Sequence, residues 1–114
     1  MKYLLLIYEK EGDWAGLPPK EQEQAMGEYR ALSVELGSKG KLVGGHQLAP
    51  VATATTVRVR DGKVLSTDGP FAETREQLGG FYLIEADNLD EALAYAARVP
   101  AARMKGSVEV RPVV

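Results

Sequence analysis

The succession of hydrophobic periods is what most limits the folds open to this chain. "KYLLLIYE", residues 2–9, is a short apolar run bounded by charge and rich in Leu, Ile and Tyr. It reads as a strand buried on both faces. "EGDWAGLPP" reads as a loop, and Pro18 and Pro19 suit the first turn of a helix, where a missing N–H costs nothing. "KEQEQAMGEYRALSVELGSKG" then has helical period, with Ala25, Met26, Tyr29, Leu32 and Leu36 on one stripe. Gly27 weakens this helix by roughly 1 kcal/mol relative to alanine, and Gly37 or Gly40 closes it.

"KLVGGHQL" reads as a second strand whose glycine pair signals a bulge or a close backbone approach. In "ATTVRVRDGKVLST", Val57 and Val59 alternate with Arg58 and Arg60, and Asp61-Gly62 marks a hairpin whose return strand begins at Val64. "GGFYLIEA" is a further buried strand. "DNLDEALAYAARVP" is a helix with Asn88 and Glu91 in a capping-box start, a stripe of Leu89, Ala92, Leu93 and Ala96, and Pro100 at its end. "GSVEVRPV" alternates and closes the chain as a strand. The order is β-α-β, hairpin, β-α-β. Without the hairpin it is the split βαβ, or ferredoxin-like, pattern, an α+β fold with an antiparallel sheet. Both helices fall on one face of that sheet, so its other face needs a cover. A second copy of the same sheet supplies one, which predicts a homodimer.

Bulk properties narrow the function classes. At 114 residues the chain fits one compact domain spanning 1–114, large enough for a core without metal or disulfide staples. A net charge of −2 gives no electrostatic footprint for nucleic acid or anionic lipid. The absence of cysteine excludes disulfides, thiolate metal sites and a cysteine nucleophile. The N-terminal apolar run is too short for a signal peptide and is followed at once by Glu9, Lys10 and Glu11. No stretch approaches a membrane span, and the cytoplasm is the expected compartment. A single histidine makes a transition-metal site unexpected, no nucleotide-binding glycine loop is present, and no cofactor is expected.

The residues left for chemistry gather near one connection, "STDGPFAETREQLGG". A bare reversal of direction needs only Asp-Gly or Pro-Gly, so Glu73 and Arg75 are in excess. They read either as a surface ion pair of little worth or as pocket-lining groups, with Arg75 binding a carboxylate or enolate oxygen. Asp68 reads as a turn residue or as a partner that polarises His46. His46, the one histidine, reads as a strand-end side chain or as a general acid–base. Phe71 is expected in the core. Tyr29 and Tyr82 are core candidates with a polar tip. Trp14, in the Gly/Pro-rich loop, fits a lid over a cleft or a dimer contact.

"TDGPFAETREQLGGFYLIEADNLDEALAYAARVP" together with "GSVEVRPV", "KYLLLIYE", "GGHQL" and "TATTVRVRDGK" resembles the YCII-related family in its DGPF branch. The branch takes its name from the tetrapeptide standing here as Asp68-Gly69-Pro70-Phe71. The resemblance implies a ferredoxin-like fold that pairs into a dimeric α/β barrel, with a histidine–aspartate pair in a cleft. Shorter members carry the histidine on the first helix, where this chain has Tyr29, so His46 would replace it from the second strand beside the motif's own Asp68. The resemblance implies an enzyme-like cleft, and the residues themselves point to a cofactor-free enzyme on a small organic molecule, with Asp68 and His46 sharing acid–base duty and Arg75, Glu73, Tyr29 and Tyr82 as substrate-binding candidates. It also offers an alternative. Members of the branch are described as transcription-initiation proteins and encoded beside extracytoplasmic-function sigma factors, which fits a non-enzymatic partner-binding module.

Overall fold

The computed structural model describes residues 1–114. The chain runs β1 (Lys2–Glu9), α1 (Glu11–Ala15), α2 (Pro19–Ser38), β2 (Leu42–Gln47), β3 (Thr55–Arg60), β4 (Lys63–Asp68), β5 (Gln77–Glu85), α3 (Leu89–Ala97), α4 (Pro100–Arg103) and β6 (Ser107–Pro112), with a 3-10 turn at Val51–Thr53. β2, β5, β1 and β6 form one antiparallel sheet in that spatial order, and β3 pairs with β4 alone. This is the ferredoxin-like arrangement with an inserted hairpin. The segment before Pro18 is not all loop: residues 11–15 close one helical turn, and Gln22 Nε2 fixes its end by donating to the Trp14 and Leu17 carbonyls (2.9 and 3.3 Å).

Local chemistry sets the helix ends. Pro19 opens α2. Gly40, at φ 68°, closes it: its N–H donates to the Gly37 carbonyl at 3.1 Å, and the Lys41 N–H donates to Leu36 at 2.8 Å. That pair of bonds is a Schellman stop, and its left-handed residue is the reason for glycine there. At α3, the Glu91 N–H donates to Asn88 Oδ1 at 2.9 Å.

Period-2 alternation sorts the sheet into two faces. Tyr3, Leu5 and Ile7 of β1, with Tyr82 and Ile84 of β5, pack against Leu32 and Leu36 of α2 and Ala92, Tyr95 and Ala96 of α3. Leu4, Leu6 and Tyr8 on the other face of β1, with Phe81 and Leu83 of β5, stay half-buried. β1 is therefore covered on one face only, because nothing in the same chain lies over the other. The β3–β4 hairpin turns through Asp61 (φ 52°) and Gly62 (φ 75°), the two left-handed residues of a type I′ turn. It stands off the body, and the radius of gyration is 15.9 Å. A compact chain of this length would show about 13 Å.

Candidate functional site

The glycine pairs explain where a cavity opens. Gly45 and Gly80 lie on the helix-covered face of β2 and β5. A methyl group at Gly45 would come within 2.9 Å of the Phe81 carbonyl and 3.0 Å of a Tyr82 ring carbon, and one at Gly80 within 2.9 Å of the His46 carbonyl. The strands approach too closely there for any side chain. Bare backbone therefore floors the space beneath α2, where larger residues would have filled it. The next residue, Gly79, is skipped by the pairing, which passes from Ile7↔Gly80 to Tyr8↔Leu78. The resulting cavity has a volume of about 410 Å³, within the range of small-molecule sites.

α2 contributes Met26, Tyr29 and Ser33, which share one face by helical spacing. Glu9 enters from the end of β1, and Tyr82 from β5. Trp14 of α1 and Leu48 and Pro50 complete the wall. Glu11 Oε1 accepts from the Val51 N–H at 2.7 Å and ties α1 to the segment after β2.

Electrostatics mark two of these groups. Burial pushes the Glu9 carboxyl above the ordinary carboxylate range, and the nearby Asp13 charge adds to this. Burial likewise pushes the Tyr29 hydroxyl up to about 12, helped by the Glu9 charge, so Tyr29 keeps its proton at neutral pH. Ser33 Oγ donates to the Tyr29 carbonyl at 3.0 Å. That uses its one proton, so at 3.2 Å the Tyr82 hydroxyl donates to Ser33 and leaves its own lone pairs free.

Of the residues singled out in the sequence, Tyr29 and Tyr82 line this cavity, Trp14 joins them in its wall, and His46 borders it at the edge of β2. His46 is exposed at the sheet edge, with its ring edge-on to Phe81 at a centroid distance of 6.0 Å, and its pairing opposite Phe81 puts that ring on the open face of the sheet, across from the helix-covered side. Asp68, Glu73 and Arg75 do not line it. Asp68 is the exposed last residue of β4, and Glu73 is exposed on the connection to β5. Arg75 borders a separate depression with Lys10, Asp13 and Glu76. The turn after Asp68 is held by the Gly69 N–H donating to Ala54 (2.7 Å) and the Thr56 hydroxyl donating to Gly69 (2.8 Å). Phe71 is not in the core as expected: it is 81% exposed, because the connection it sits on runs over the surface. Sequence reasoning missed Glu9, Ser33 and Met26. The apolar stripe included Met26 without a functional role, and Glu9 stood only as the charge ending a strand.

No three His, Cys, Asp or Glu side chains are grouped to hold a metal ion. No helix is long and apolar enough to cross a membrane. A family model described as "YCII-related domain" matches residues 1–114. An uncharacterised protein of Rhizobium meliloti (strain 1021) is 41% identical over 113 residues, covering 98% of this chain and 91% of that relative.

Proposed function

The chain belongs to the YCII-related domain family, and from that premise we propose that it binds a small organic molecule in the cavity beneath α2 and moves a proton on it with side-chain acids and bases alone. The observation that carries this reading is the glycine-floored cavity, which brings Glu9 and the Tyr29 and Tyr82 side chains together. Glu9, whose carboxyl is raised by burial, can exchange a proton with the ligand. The Tyr29 hydroxyl, held protonated, donates to oxygen on the ligand. The tetrapeptide Asp68-Gly69-Pro70-Phe71 supports placing the chain in the DGPF branch. Asp68 and Arg75 enter this reading only through a second copy.

That second copy has a place in the proposal. The open sheet face has an apolar centre of Leu4, Leu6, Phe81 and Leu83, and by strand register its rim carries Lys2, Glu85, Glu109 and Arg111. A patch bearing both charges around an apolar centre can meet its own copy across a two-fold axis.

A fragment screen by amide chemical-shift mapping tests the ligand reading. Bound fragments are expected to move the amides of Ser33, Gly45 and Gly79. Shifts confined to the depression around Arg75 would overturn the cavity assignment. For any fragment that is turned over, Glu9→Gln is expected to reduce the rate by about 10²-fold or more, and an unchanged rate would remove Glu9 from the mechanism.

A further inference from the structure

The cavity wall is unbalanced in charge. Glu9 and Glu11 line it, and no lysine or arginine does. Elsewhere the chain pairs its half-buried glutamates. Glu28 meets Arg103, Glu35 meets Arg98 and Lys39, Glu91 meets Lys41, and Glu109 meets Arg111. Glu85 accepts from the N-terminal amine and Glu76 from Ser107. Glu9 alone among the half-buried glutamates has neither a cation nor a hydrogen-bond donor, and its charged neighbour, Asp13, has the same sign. A carboxylate partly withdrawn from water and left unpaired carries a desolvation cost that a ligand of opposite charge would offset.

Two further features point the same way. The Ser33–Tyr82 contact leaves hydroxyl lone pairs available to a ligand, which suits a donor-rich group. Trp14, Tyr29 and Tyr82 supply rings whose negative faces attract cations.

We infer that the cavity takes a small organic amine, a cationic head on an apolar body, with Glu9 as its counter-charge and the aromatic wall around the body. This rests on the cavity reading above. It sets the class of ligand: ammonium-bearing molecules are accepted, and carboxylates and phosphates of the same size are refused. Glu9, neutralised by the ligand, anchors it.

Trp14 is the one tryptophan in the chain and lies in the cavity wall, so its fluorescence reports binding there directly. The experiment titrates the full chain with three probes of matched shape, benzylamine, benzyl alcohol and benzoate, and follows Trp14 emission alongside calorimetry. Benzylamine is expected to bind about tenfold more tightly than benzyl alcohol, a difference of about 1.4 kcal/mol, and benzoate more weakly than either. Glu9→Gln is expected to bring the amine down to the alcohol's affinity and leave the alcohol unchanged, while Glu73→Gln, outside the cavity, changes nothing. Benzoate binding as well as benzylamine, or an amine preference that survives Glu9→Gln, would overturn the inference and leave the cavity reading standing. No response from any of the three probes would overturn both.

Discussion

Glu9 shows how one side chain can carry a cost that the rest of the fold tolerates. Its carboxyl is raised by burial, so the folded state binds its proton more tightly than the unfolded chain does. A raised carboxylate weakens stability as pH climbs from its unfolded value, about 4.3, through its folded one. Glu9→Gln is therefore expected to stabilise the protein at neutral pH and to have no effect below about pH 4, where both states are protonated. Solvent at the cavity mouth holds the gain to a few tenths of a kcal/mol, about 1–3 °C in Tm. Thermal melts across a pH series check this, and a loss of Tm at pH 7 would show that Glu9 has a partner in the fold. The floor makes the opposite prediction. Gly45→Ala forces a methyl group to 2.9 Å from the Phe81 carbonyl, where backbone must shift, and is expected to cost about 1–3 kcal/mol in denaturant unfolding. The sequence shows a close approach in the pair Gly44-Gly45, because glycine inside a strand has few other uses. It does not show that Gly80 completes the floor from a strand more than thirty residues away. Glu9 was illegible for a related reason: a charge ending an apolar run looks the same whether it faces water or a cavity.

At the scale of elements, most of what forms is decided by short-range signals. Gly40, Asn88 and Asp61-Gly62 each act within a few residues, so those ends and turns were legible. Phe71 was not, because a large apolar residue in a surface connection has no periodic neighbours to place it. The tie between helices is also long-range. Arg98, capping α3, donates in a fork to Glu35 of α2 at 2.7 and 3.0 Å. These bonds from Arg98, and then one from Lys39, hold the Glu35 carboxyl down to about 2. A depressed carboxylate contributes stability that is present above its unfolded value and lost as pH falls through the folded one. Glu35→Gln is expected to lower Tm by a few degrees at pH 7, with the difference from wild type vanishing as pH falls from about 4.3 toward 2. A difference unchanged at low pH would mean that packing of the side chain, not its charge, links α2 to α3.

The whole molecule is thin, 47 × 39 × 19 Å, because one layer of helices covers one face of one sheet. Two apolar surfaces go uncovered in a single chain. One is the sheet face around Leu6 and Leu83. The other is the side of the hairpin that carries Val57, Val59 and Val64, by register opposite the side that carries Arg58, Arg60 and Lys63. A two-stranded hairpin is marginal by itself in water, so the arm gains order only where its valines are covered. Pairing of two chains across the sheet face would cover the first surface and bring a partner within reach of the second. The full chain is expected to sediment at twice the single-chain mass. Leu6→Glu, which places a charge in the apolar centre without entering the helix-side core, is expected to give a folded monomer with unchanged far-UV circular dichroism. In that monomer the amides of residues 55–68 are expected to exchange with solvent ahead of those of β1 and β5. In the wild-type dimer they should be protected if the arm packs on the partner. Wild-type protein at single-chain mass would overturn the pairing. An arm that exchanges equally fast in dimer and monomer would confine the interface to the sheet face.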